Sequence, residues 1–149
     1  MSGNPSAKAK ILTKVTYECM MLGIEEIQPG KTVGDIGYAI QNHAEKNGFS
    51  VVRDFTGHGL GQVFHTTPTI LHYGEPNTGV ILKKGMFFTV EPMINVGKHD
   101  VKILSDGWTA VTKDKSLSAQ FEHSVGVTDK GYEIFTLSSK INNELKLIL

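Results

Sequence analysis

At Gly48 the sequence changes its period, and that change limits what the chain can fold into. Before Gly48, apolar residues recur at three- and four-residue steps. Ile11, Leu12, Val15, Cys19 and Leu22, with Glu26 in register, trace one face of a helix. Ile36, Ala39, Ile40, His43 and Ala44 trace another. Asn4-Pro5 reads as an N-cap followed by proline at the first helical position, and Pro29-Gly30 stops the first helix. Thr32 followed three residues later by Asp35 forms a capping box for the second. His43 on that face reads as a partly buried packing residue, with a functional role as the alternative.

After Gly48 the pattern is short and β-like. Phe49–Val52, Thr69–Tyr73, Val80–Leu82, Met86–Ile94, Val101–Ile103, Trp108–Thr112, Ala119–Val127 and Tyr132–Leu137 are apolar or β-branched runs. Lys83-Lys84-Gly85, Val96-Gly97-Lys98, Asp106-Gly107 and Asp129-Lys130-Gly131 separate them as turns. Two helices followed by hairpin-spaced strands make an α+β fold, two N-terminal helices packed on a mainly antiparallel sheet. Residues 141–149 read as either a short helix or a loose tail.

Composition excludes several classes of function. The 149 residues carry 15 basic and 15 acidic side chains with no basic run, which leaves nucleic acid without an electrostatic footprint. Apolar content of 40% with 20% charged residues is that of a globular chain rather than a disordered one. One cysteine, Cys19, excludes an internal disulfide and suits a reducing compartment. No apolar run approaches the roughly 18 residues that would span a bilayer, and no signal-peptide core is seen. The expectation is a soluble, cytoplasmic protein with no membrane partner.

Chemistry concentrates in three places. Thr56–His65 alternates three glycines with His58, Phe64 and His65. Glycines flanking His58 let the backbone pass close to a neighbour and leave the imidazole presented. Glu91 sits in the apolar run Phe87–Met93, where an isolated buried charge is too costly. It must be neutral, metal-bound or, as the bland alternative, salt-bridged in a core. Pro92 marks a strand end. Glu122 lies in Ser118–Val125, where strand alternation puts it on one face with Gln120 and turns Phe121 and His123 to the other. Gln120 is thus placed to orient Glu122, and a solvated strand face is the alternative for Glu122-His123. His58, Glu91 and Glu122 form a candidate metal-ligand set. One imidazole with carboxylates suits Mn, Fe(II), Co or Zn, ions that activate water for hydrolysis. His65 is a candidate to hydrogen-bond a substrate carbonyl, or else its own backbone. Phe64 and Trp108 are candidates for an apolar substrate pocket and equally for ordinary packing.

These motifs, in this order, closely resemble type I methionine aminopeptidase. The matching stretches are Gly57–Gly61 with Phe64-His65, Thr89–Met93, Asp106–Thr109 and Ser116–His123, and the resemblance runs from about Lys8 to Leu137. It implies a pita-bread fold with a curved sheet, two divalent ions per complete site, and removal of N-terminal Met from nascent peptides. It also implies that His58, Glu91 and Glu122 are ligands with Glu122 bridging, that His65 contacts the scissile amide, and that Phe64 and Trp108 hold the Met side chain.

The family's site has five protein ligands, and its two Asp come from the N-terminal half. No Asp here replaces them: Asp35 serves the capping box, Asp100, Asp106, Asp114 and Asp129 lie in turn-like segments, and Asp54 lacks a partner at suitable spacing. The expectation is therefore that residues 1–137 are the C-terminal portion of such a domain, followed by a tail over 138–149. It would be truncated or one half of a split enzyme, weak or inactive without the N-terminal half, with a complementary N-terminal half or self-association as the expected protein partner. The rival is an inactive remnant or half-domain acting as a protein-binding module. A prolidase or aminopeptidase P is a further rival, but Phe64-His65 and the Asp106-Gly107-Trp108 turn favour Met removal.

Overall fold

The computed structural model describes residues 3–138. Helix α1 runs Ala7–Glu25 and α2 runs Val33–Lys46. The cap of α1 is Ser6, whose hydroxyl accepts from Ala9 N at 3.2 Å, and not Asn4-Pro5. The α2 capping box forms as expected: Asp35 N donates to Thr32 Oγ1 at 3.3 Å, and Thr32 N donates to Asp35 Oδ2 at 2.7 Å. Leu12, Val15, Cys19, Met20 and Ile24 of α1 pack with Ile36, Ile40 and Ala44 of α2. Ile11, expected on the packed face, is 53% exposed, because the buried stripe of α1 runs through Thr16 and Gly23 instead. Thr16 is accommodated there by donating to Leu12 O at 2.7 Å. His43 does pack between the helices, its Nε2 3.0 Å from Glu18 Oε2.

Ten strands follow among the described residues: β1 (Ser50–Val51), β2 (Gly57–Gly59), β3 (Thr66–Ile70), β4 (Phe87–Val90), β5 (Met93–Asn95), β6 (Val101–Ile103), β7 (Ala110–Thr112), β8 (Ser118–Gln120), β9 (His123–Val127) and β10 (Tyr132–Ile134). The expected run Val80–Leu82 makes only a bridge, Ile81 against Thr32. The expected tail lies, from residue 139 onward, outside the described residues.

All strand pairings are antiparallel, in orders β10-β9-β4-β2-β3, β1-β5-β8 and β6-β7. The first two sheets share one ribbon. Strands β4 and β5 are halves of one run, interrupted at Glu91-Pro92, and β8 and β9 are halves of its partner, interrupted at Phe121-Glu122. Val90 lies opposite His123 before the interruption, and Met93 lies opposite Gln120 after it. The register does not slip across the gap, so Glu91 stands level with Glu122. Pro92 has no N–H to donate, which makes this a natural place for the ladder to open. Phe88, Val90, Ile94 and Val125 of the ribbon meet the helices in the core.

Candidate metal centre

The ribbon opening sets Glu91 and Glu122 level, and β2 brings the His58 imidazole to Glu91. Gly57 and Gly59 explain why β2 comes so close. A Cβ on Gly57 would collide with the carbonyl oxygen of Thr89, and one on Gly59 with that of Thr67. Neighbouring backbones thus occupy the space on either side of His58, and the register between β2 and β3 shifts at His58/Gly59. Only glycine permits that approach.

His58 Nδ1 lies 3.0 Å from the Gly59 carbonyl oxygen. In the neutral ring Nδ1–H donates to that carbonyl, which leaves the Nε2 lone pair free. Nε2 lies 3.8 Å from Glu91 Oε1. Two donors at about 2.1 Å from a shared ion lie at most about 4.2 Å apart, so this pair is within reach of one cation.

Glu91 is held from several directions. Thr89 Oγ1 donates to Oε1 at 2.6 Å. Gln120 Nε2 donates to the Glu91 carbonyl at 3.1 Å and approaches Oε2 at 3.4 Å. The Glu91 amide donates to His72 Nε2 at 3.1 Å. Gln120 therefore orients Glu91, not Glu122 as the strand alternation suggested. The alternation itself holds: Gln120 and Glu122 are exposed, while His123 is buried with its Nδ1 2.8 Å from Thr136 Oγ1.

Electrostatics at the opening favour a cation. Burial raises the Glu91 carboxyl above its usual range. The Thr89 hydroxyl opposes that shift, the Glu122 charge adds to it, and His58 and His65 oppose it. Two carboxylates level across a ribbon repel unless a proton or a metal lies between them.

His58, Glu91 and Glu122 line one open pocket together with Phe64, His65 and Thr69. The rings of His58 and His65 lie 4.3 Å apart and those of His58 and Phe64 5.2 Å apart. Phe64 is 71% exposed. Trp108 is not in this pocket: it sits on the β6–β7 turn, 88% exposed, where Asp106 Oδ1 accepts its backbone N–H at 3.0 Å. Among the described residues, no three His, Cys, Asp or Glu side chains approach closely enough to hold an ion. The chemistry of the donor set nevertheless fits a hard or borderline divalent cation: a tautomer-fixed imidazole, a hydrogen-bonded carboxylate facing it, and a second carboxylate across the ribbon.

Sequence reasoning missed two contributors. Thr89 carried a usable signal, since it lies two residues before Glu91 and shares its strand face. His72 carried none, because its role depends on a contact between the bend after β3 and the interruption after β4.

The metallopeptidase family M24 model matches residues 1–129. The methionine aminopeptidase of Rickettsia prowazekii is 64% identical over 140 residues, covering 93% of this chain and 54% of the relative. The crystal structure of methionine aminopeptidase from Rickettsia prowazekii superposes with a TM-score of 0.89 at 62% identity, covering 91% of this chain and 55% of that one. That from Thermotoga maritima also gives 0.89, at 44% identity over 91% of this chain and 55% of that one. The fold is thus a partial pita-bread fold. The chain spans about half the length of the relatives it matches, corresponding to the C-terminal half of a type I methionine aminopeptidase. With the family model running through both strands of the carboxylate ribbon, this chain belongs to metallopeptidase family M24.

Proposed function

We propose that this chain contributes the His58–Glu91–Glu122 side of a divalent-metal site that removes N-terminal methionine from peptides. The observation that carries the reading is the unslipped ribbon, which sets Glu91 level with Glu122 while His58 Nε2 lies 3.8 Å from Glu91. Family membership and the Rickettsia relative support the reaction class.

In this reading His58 Nε2, Glu91 and Glu122 would hold the divalent ions, two in a complete site, with two further carboxylates supplied from outside these 149 residues. Co, Mn, Fe(II) and Zn all suit the donors. When bound, such ions lower the pKa of water and polarise the scissile carbonyl. His65, exposed beside His58, hydrogen-bonds the carbonyl oxygen as charge develops there. Phe64 packs on the Met side chain. Trp108, exposed on the β6–β7 turn, is the second candidate to hold the Met side chain. Glu91 takes a share in proton transfer. A buried, free Cys19 fits work in the cytoplasm, and no helix of the described residues is long and apolar enough to cross a membrane.

The test is hydrolysis of a Met-peptide with added Co or Mn, with and without a separately expressed N-terminal half of a type I enzyme. We expect little or no turnover from the chain alone and turnover on complementation. Activity of the chain alone would refute the need for outside carboxylates. No activity in either arm supports a second reading, a non-catalytic half-domain that binds a protein partner. That reading is favoured by the exposure of Phe64 and Trp108 and by the lack of a three-donor cluster among the described residues.

A further inference from the structure

The geometry points to Thr89 as the positioning residue that aims Glu91 at His58; this rests on the metal-site reading above. Thr89 is 1% exposed and sits on β4 two residues before Glu91, facing β2. Its hydroxyl makes two bonds, accepting from the His58 amide at 3.0 Å and donating to Glu91 Oε1 at 2.6 Å. The oxygen it holds is the one that lies 3.8 Å from His58 Nε2. A hydroxyl has a single proton, and an amide N–H can only donate to it. The Thr89 proton is therefore directed to the carboxylate. One buried atom ties the backbone of the imidazole donor to the facing oxygen of the carboxylate donor.

The other contacts of Glu91 do not set that orientation. The terminal torsion of a glutamate is broad and two-fold, so a carboxylate needs a partner to choose which oxygen faces where. Gln120 approaches the opposite oxygen, and His72 touches only the backbone. Among the described residues, Thr89 alone hydrogen-bonds the facing oxygen. The function resides in its hydroxyl rather than its methyl. Serine should serve, whereas valine, which matches the shape without the hydroxyl, should not.

The test is Co(II) binding to the chain and its variants, followed by competition titration and by the visible absorption of bound Co(II). Wild type and Thr89→Ser should bind alike. Thr89→Val should bind about 10- to 100-fold more weakly, with an altered absorption spectrum, while its metal-free circular dichroism matches wild type. Equal affinity of Thr89→Val and wild type, or failure of serine to preserve binding, overturns the role. If Thr89→Val does not fold, Thr89→Ala against Thr89→Ser makes the same comparison. Absence of Co(II) binding by wild type beyond that of His58→Ala refutes the metal-site reading and takes this inference with it. Loss of the Thr89 effect with wild-type binding intact refutes this inference alone.

Discussion

His72 shows how a single buried side chain sets the conditions under which the centre can exist. It is 2% exposed and accepts the Glu91 amide through Nε2, so the ring must be neutral with its proton on Nδ1. Burial pushes its pKa down to about 4 from the usual 6.5. Between those values the unfolded chain binds a proton that the folded chain refuses. The stability from this residue is therefore complete above the unfolded value and is lost as pH falls toward the folded one. We expect the unfolding free energy to drop by about 2 kcal/mol between pH 7 and pH 5 on account of this residue. Urea titrations at the two pH values should show that drop, and His72→Gln, which keeps a neutral acceptor, should flatten it. An equal slope in the variant would assign the loss to other groups.

At the scale of elements, the ribbon of β4–β5 against β9–β8 sets the site's energetics. Glu91 and Glu122 stand level where its ladder opens, and their mutual repulsion is stored in the metal-free fold. Glu122→Gln removes one charge while keeping the shape. It should stabilise the metal-free chain by about 0.2–1 kcal/mol, the usual range for a directly opposed pair. The same change should weaken Co(II) binding. Thermal unfolding with and without Co(II) reads both effects, and the sign of the difference from wild type should reverse between them. A destabilised metal-free variant would mean that Glu122 is a structural partner rather than a strained one.

The helices were legible because their signals are local. Ile36, Ile40 and Ala44 recur at helical steps and are all buried, and the Thr32–Asp35 capping box needs only three residues to specify it. Strand β2 was not legible as a strand, since two of its three residues are glycine and have no preference for one. It is a strand because β3 and β4 flank it. The interruption at Glu91-Pro92 could be read from proline, and Glu122 on one face with Gln120 from alternation. That the two glutamates would stand level could not, because their register is set by how the intervening residues fold back. Trp108 is a pocket candidate by residue type and by resemblance, and the β6–β7 hairpin holds it outside the pocket in this structure.

For the molecule as a whole, exposed apolar side chains are where the proposed covering segment can be tested. Phe64, in the pocket, and Trp108, on the β6–β7 turn, are 71% and 88% exposed. Trp108 is the chain's single tryptophan and so reports on that surface without interference. Its fluorescence should be that of a water-exposed indole and readily quenched by iodide. Adding the complementary half should shift the emission to the blue and protect it. Emission that is already blue-shifted and protected in the chain alone would show that the β6–β7 hairpin has found a cover without any partner.

The unslipped ribbon also separates what must be counted from what need not be. Glu91 and Glu122 meet because equal numbers of residues lead to each from paired positions on either side of the opening. The excursion from Val96 to Leu117, which carries β6, β7 and the Asp106-Gly107 turn, leaves and rejoins the ribbon outside that count. Its length is therefore uncoupled from the distance between the carboxylates. A tag or reporter spliced into the turn at Asp106-Gly107 lies outside the pocket and leaves its floor intact, whereas one residue added between Val90 and Glu91 throws the two acids onto opposite faces.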